Sequence, residues 1–256
     1  MFSTTEITSH EITSDNVIHQ RLLFAYVKAA QMLSGNVLEL GCGAGRGMEL
    51  VANSVDNYTG IDKNAELLAS HRKQYPNFTF LEQNIPPFAG IADNQFDFVI
   101  TFQVIEHIQD DELFIKEIHR VLKPRGKAIV TTPNIKLSLT RNPWHIREYT
   151  AEQMETLFGK HFKKVDLHGI FGSNEVNQYY EENKASVEKI TRFDILNLQY
   201  KLPRSVLQIP YDILNRMNRK KLMDKGSKLV QKITTDDYFL SQNADKGYDF
   251  FCIVEK

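Results

Sequence analysis

Residues 37–47 read VLELGCGAGRG, an apolar run carrying one acid, Glu39, followed by glycines at 41, 43, 45 and 47. Glycine in a regular element costs roughly 0.5–1 kcal/mol relative to alanine. The chain holds only 13 glycines in 256 residues, so four in one turn call for a backbone geometry, or a ligand approach, that side chains would block. The helical segment MELVAN follows. Strand, tight turn and helix in that order put the turn at the carboxyl end of a parallel strand, where open α/β sheets bind ligands.

The same rhythm continues. From Val37 to about Val130 the β-type runs NVLELG, YTGID, FTFLEQN, FDFVITF and GKAIVTTP alternate with helical patterns, as in a parallel sheet with crossover helices. Asn64 is placed to cap a helix that stops before Pro76, and Asp110 one that stops at KPRG, Pro124 to Gly126. Thr150 and Gln153 have capping-box spacing for a helix ending near Gly159. A helix is expected near Val17 to Leu33, after a Ser/Thr-rich start of 15 residues expected to be loosely ordered. Two more strands, KKVDLHGIF and the terminal YDFFCIVEK, close the pattern.

Residues 173–246 break it. They read as helical, with Leu207, Tyr211 and Leu214, or Ile209, Ile213 and Met217, at helical spacing. Pro203 and Pro210 are expected to divide them into two or three short helices. The section is also locally basic, through Arg204, Arg216, Arg219, Lys220, Lys221, Lys225, Lys228 and Lys232. Three readings stay open for it: a solvated face, a lid over an acceptor, or a surface that meets an anionic lipid.

Composition bounds the rest. A chain of 256 residues buries roughly 70–75% of its unfolded surface without staples. A single domain is expected, with 17–172 and 247–256 as its core and 173–246 as a basic cap. Two cysteines, Cys42 and Cys252, are too few for a disulfide framework, and no leader pattern opens the chain. A cytoplasmic enzyme is the expectation. No apolar run reaches the roughly 18–20 residues of a spanning helix, so any membrane contact is expected to be peripheral. A formal net charge of −1 argues against nucleic acid as the main partner.

The glycine turn narrows the ligand. The dinucleotide pattern G-x-G-x-x-G fails, because Arg46 or Met48 stands where its third glycine belongs, and G-x-x-x-x-G-K-[ST] fails as well. Acidic-x-Gly-x-Gly-x-Gly suits a ligand without phosphate whose amino group is drawn toward Glu39. Asp62 closes YTGID about 20 residues past the turn, where a carboxylate can take both ribose hydroxyls. Asn84, after FTFLEQ, can recognise an adenine amino group. A ribose, a base and an amino acid together make the ligand.

These residues resemble the class I S-adenosylmethionine-dependent methyltransferases over most of residues 36–150 and the final strand. VLELGCGAG is similar to that family's first motif, GID to its ribose motif, NIPPFAGIADNQFDFVITFQVIEHI to its adenine and methionine-side motifs, and LKPRGKAIVTTPN to the segment entering the fifth strand. The resemblance implies a Rossmann-like α/β sheet of seven strands in the order 3-2-1-4-5-7-6, the last antiparallel, with helices on both faces. It implies S-adenosyl-L-methionine held by Glu39, Gly41, Cys42, Gly43 and Gly45, by Asp62 and Lys63, by Asn84 and Ile85, and by Gln103. Asn84 departs from the aspartate of many members, yet both side chains accept from an adenine amino group.

Chemistry outside that loop rests on His107 in QVIEHI and on His145 with Glu148 in NPWHIREYT. The second segment resembles one that follows the fifth strand in bacterial glycan and small-molecule methyltransferases. Neither histidine has metal-ligand spacing such as H-E-x-x-H, so no metal is expected. Cys42 lacks a base around it and is not read as a nucleophile. Trp144 is either a packing anchor or a platform for a ring. In-line methyl transfer needs positioning and, for a hydroxyl, a base. O-methylation of a glycan, glycolipid or other small-molecule hydroxyl is expected, with His145 or His107 as the base. A quinone-precursor or lipid acceptor is the alternative, and a noncatalytic protein that binds the cofactor or a partner is the rival from another class.

Overall fold

The computed structural model describes residues 12–194 and 196–256. In chain order the elements are α1 (Asn16–Ala30), β1 (Asn36–Leu40), α2 (Met48–Ala52), β2 (Asn57–Asp62), α3 (Ala65–Gln74), β3 (Thr79–Glu82), β4 (Phe96–Phe102), α4 (Asp111–Val121) and β5 (Leu122–Pro133). There follow α5 (Ala151–Gly159), β6 (Lys164–Gly172), α6 (Asn174–Thr191), α7 (Leu198–Lys201), α8 (Arg204–Lys232), β7 (Tyr238–Ser241) and β8 (Asp249–Glu255). The sheet runs β3-β2-β1-β4-β5-β8-β6-β7. β1 to β5 pair in parallel, and β8 is antiparallel to both β5 and β6.

This is the expected α/β order with one strand added. β7 pairs antiparallel with β6 at the sheet edge, inside the section read from sequence as wholly helical. Four residues are too few to announce themselves; Tyr238 is buried and Phe239 is half exposed. The proline division also needs correction. Pro203 caps α8, whereas Pro210 lies inside that helix, whose non-helical residue is Gly226.

The helix signals work as the sequence implies. The Asn64 carboxamide accepts from the Glu66 and Leu67 amides, Asp110 accepts from Leu113, and Thr150 and Gln153 form a capping box. Val37, Leu38 and Leu40 in β1 and Val99 and Ile100 in β4 are fully buried, as strands covered on both faces require. Phe114, Ile115, Ile118 and Val121 give α4 its inward stripe.

The amino-terminal expectation is partly overturned. Residues 1–11 lie outside the described residues. Asp15, placed in the loosely ordered start, is fully buried. It accepts from Arg216 at 2.9 Å and Arg219 at 3.0 Å, so the start of α1 is tied to the middle of α8. Asn16 adds hydrogen bonds to the carbonyls of Val230 and Ile233.

Candidate active site

The parallel strands β1 to β4 end on one edge, and this edge gathers most of the residues expected to hold the cofactor. Gly41, Gly43 and Gly45 all have positive φ (74°, 49° and 73°), a region costly to side chains. A Cβ on Gly43 would meet only the Gly41 carbonyl, 3.9 Å away, so its outer side is open for a ligand. Gly47 serves packing instead: a Cβ there would fall within 2.0 Å of the Tyr26 ring.

Asp62, at the end of β2, reaches back to this loop. Its Oδ2 accepts from the Gly43 amide at 2.8 Å, and its Oδ1 from the Asn64 amide at 2.9 Å. Lys63 and Asn84 are exposed on the same edge, and Ile85 is half-buried against the core. Gln103 follows β4 in a left-handed conformation, φ 57°, its amide donating to Thr131 Oγ1 at 3.3 Å. A non-glycine residue held there costs of order 1–3 kcal/mol and marks a position that the surroundings enforce.

Two of the expected residues turn their side chains inward. Glu39 is 1% exposed and turns into the core, where Oε1 accepts from the Tyr26 hydroxyl at 2.7 Å and Oε2 from Tyr58 at 2.6 Å. It braces the loop from behind rather than meeting an amino group. Burial raises its pKa against the two hydroxyl bonds that lower it. Cys42 is also buried, its amide donating to the Ile61 carbonyl at 3.2 Å. Burial pushes its thiol far above the ordinary range, which agrees with its having no nucleophilic role. His71, unremarked in the sequence, holds the loop by its Nε2, 2.8 Å from the Gly43 carbonyl oxygen.

Beside the loop lies a cavity of about 260 Å³ between the sheet edge, α1, α6 and α8. Gln103, Glu106, His107, His145 and Glu148 line one side of it, and Tyr179, Tyr180, Tyr211 and Tyr248 the other. His145 Nδ1 lies 2.6 Å from Glu148 Oε1, and Ser138 donates to the other oxygen of Glu148. Asn142 accepts from the Trp144 amide at 3.0 Å, which turns its own nitrogen to His145 Nε2, 2.8 Å away. This arrangement suits an imidazole whose Nδ1–H faces Glu148 and whose Nε2 accepts. Burial opposes its protonation, but the Glu148 bond and the nearby Glu106 and Asp249 carboxylates outweigh it and raise its pKa.

His107 behaves oppositely. Its Nδ1–H donates to the Trp144 carbonyl at 3.0 Å, and burial together with His145 brings its pKa down to about 4. The two imidazoles meet edge to face with centroids 5.0 Å apart. His107 also lines a second cavity with Lys63, Trp144, Arg204 and Gln208, so it stands between the two cavities. Trp144 is tied to α8, its indole N–H donating to Asp212 at 3.1 Å.

Glu106 escaped the sequence reading. It is fully buried, with Oε2 accepting from Thr132 at 2.9 Å and Oε1 left without a hydrogen-bond partner. Burial lifts its pKa to about 7 against the pull of His145. The available signal was an acid inside the apolar run QVIEHI. The fold also gathers Glu106, His107 and His145 with ligand atoms within 4.8 Å of one another, a cluster that local spacing could not reveal because His145 is 38 residues away.

Comparison with known proteins agrees with this geometry. Residues 38–130 match the methyltransferase domain model. The chain is 30% identical over 253 residues to a probable S-adenosylmethionine-dependent methyltransferase of Mycolicibacterium smegmatis, covering 96% of this chain and 90% of that one. It is 28% identical to a ubiquinone biosynthesis O-methyltransferase of Sodalis glossinidius, over 48% of this chain and 49% of the other. In fold it is similar to an S-adenosylmethionine-dependent methyltransferase of Thermotoga maritima, with a TM-score of 0.58 at 15% identity over 94% and 92% of the two chains. The open side of Gly43 beside Asp62 suits the cofactor these relatives share, and the chain belongs to the S-adenosylmethionine-dependent methyltransferases.

Proposed function

We propose that this methyltransferase O-methylates a hydroxyl of a glycan or glycolipid, with the whole chain working as one domain. The observation that carries the reading is the His145–Glu148 pair, 2.6 Å apart, opening on a cavity walled by tyrosines. Tyrosine rings offer faces for a sugar to lie on, and their hydroxyls, with Asn183 and Asn215, offer donors and acceptors.

When bound, S-adenosylmethionine supplies an electrophilic methyl group on sulfonium and departs as the thioether. The residues of this chain do the rest. The Gly41–Gly45 turn, Asp62 and Asn84 hold the cofactor's amino acid, ribose and base. Gln103 and His107, in the segment after β4, would face the cofactor from the side of the cavity they line. His145 Nε2 takes the acceptor's proton as the new O–C bond forms, once the acceptor hydroxyl displaces the Asn142 amide from it. Glu148 receives the opposite Nδ1–H and stabilises the imidazolium that results. His107, held uncharged by its surroundings, adds no positive charge beside the sulfonium.

Kinship with ubiquinone O-methyltransferases over half the chain supports a second reading, a phenolic quinone precursor. A phenol ionises more easily and depends less on His145. The test is release of S-adenosylhomocysteine over sugars, glycolipids and phenols by the wild type and His145→Ala. Turnover of a sugar that collapses in His145→Ala supports the first reading. Turnover confined to phenols and insensitive to the substitution supports the second.

A further inference from the structure

The first half of α8 turns large apolar side chains toward water. Tyr211, Asn215 and Arg219 on one side line the cavity. Val206, Ile209, Ile213 and Met217 fall within about 80° of one another on the opposite side, at 100° per residue, and are 56%, 71%, 44% and 64% exposed. In this part of the helix the cavity side is polar and the outer side carries large apolar groups, while Leu222 and Val230 further along pack into the core. Single exposed apolar residues are ordinary, but a continuous stripe four positions long marks a covered surface.

Charge identifies what covers it. Lys220 continues the stripe, followed by Lys221, and both are exposed. Residues 189–221 carry eight lysines and arginines against two acidic residues, in a chain of net charge −1. Arg216 and Arg219 are bound to Asp15, which leaves Lys189, Arg192, Lys201, Lys220 and Lys221 as exposed cations. Just before α7, Phe193 and Leu196 are 73% and 63% exposed, with the Arg192 guanidinium 4.7 Å from the Phe193 ring centroid. A second copy of the chain docked face to face would set these cations against themselves. An anionic bilayer satisfies both requirements, taking the apolar stripe into its interface and the lysines among its headgroups.

We propose that the outer face of α8 docks on the surface of anionic membranes, with the acceptor cavity directly beneath it. The inference is independent of which acceptor is methylated. Contact would be interfacial, since among the described residues no helix is long and apolar enough to cross a membrane.

The test is flotation of the full chain with phosphatidylcholine vesicles, with and without about 30 mol% phosphatidylserine. The expected result is binding to the anionic vesicles only, weakened as salt rises from about 0.1 to 0.5 M. Ile209→Glu/Met217→Glu should abolish it, and Lys220→Gln/Lys221→Gln should weaken it by about tenfold or more. Unchanged calorimetric affinity for S-adenosylmethionine shows that both variants are folded. Failure of the wild type to float, equal binding to neutral vesicles, or variants that bind like the wild type would each overturn the proposal. So would sedimentation showing a dimer that Ile209→Glu disperses. None of these outcomes touches methyl transfer, which is read separately with a water-soluble acceptor.

Discussion

Asp62 Oδ2 accepts a hydrogen bond from the amide of Gly43 at 2.8 Å, so the acid at the end of β2 fixes the glycine loop that it faces. The same carboxylate is the one proposed to take the ribose hydroxyls, so it would shape the cradle and bind in it. Asp62→Ala should weaken both S-adenosylmethionine and S-adenosylhomocysteine by roughly 1.5–3 kcal/mol, more than tenfold. Calorimetry checks this, and unchanged affinity removes Asp62 from the site.

Gly43→Val separates binding from folding. Its Cβ has open space but a left-handed backbone, φ 49°. The strain should cost about 1–2 kcal/mol of stability, while the isopropyl group fills the ligand's space. Cofactor binding should vanish from a protein that still unfolds cooperatively.

Glu106 makes a prediction about stability and pH. Its pKa is about 7 in the folded protein against 4.5 for a free glutamate. A raised folded pKa means stability that is complete below 4.5 and lost as pH rises to 7. The loss should approach about 3 kcal/mol. Glu106→Gln, which cannot ionise, should therefore gain in Tm over the wild type at pH 8 and show little difference at pH 4.5.

Arg219, Lys220 and Lys221 are one basic run in sequence, and the structure separates them. Arg219 and Arg216 clamp the fully buried Asp15, whereas the two lysines are exposed. Asp15→Ala strands two guanidinium groups and should cost about 3–5 kcal/mol. It should also raise KM for the acceptor, because α8 roofs the cavity, and leave cofactor affinity unchanged. Calorimetric unfolding and steady-state kinetics report the two effects.

The cluster of Glu106, His107 and His145 raises the question of metal. A divalent ion would need His145 Nε2, which already faces the Asn142 amide. Turnover should survive dialysis against EDTA, and added zinc should inhibit by seizing that nitrogen. Activity lost to EDTA and restored by one metal would make the cluster a metal centre.

How much the sequence revealed depended on how local each signal was. Caps at Asn64, Asp110 and Thr150, and the glycine turn, are set by neighbours in the chain and were legible. Side-chain direction was not: Glu39 sits in the expected motif yet bonds Tyr26 and Tyr58, because burial of β1 left its carboxylate no solvent to face. The cavity lined by His145 and the tyrosines was invisible for a related reason. It joins α1, α6, α8 and the loop after β5, and no single segment carries its pattern. β7 was lost because its four residues lie beside a much longer helical stretch.

The most direct test of the whole account is the rate of S-adenosylhomocysteine release with a sugar acceptor, followed against pH for the wild type and His145→Ala. Glu148, Glu106 and Asp249 raise the pKa of His145 above the 6.5 of a free imidazole. The wild-type rate should thus climb with pH through a midpoint above that value. His145→Ala should be slower by about 10²–10⁴-fold and lose that midpoint, with cofactor affinity intact. A sugar methylated by His145→Ala at the full rate, or a wild-type profile flat across this range, would contradict the assignment of His145 as the base.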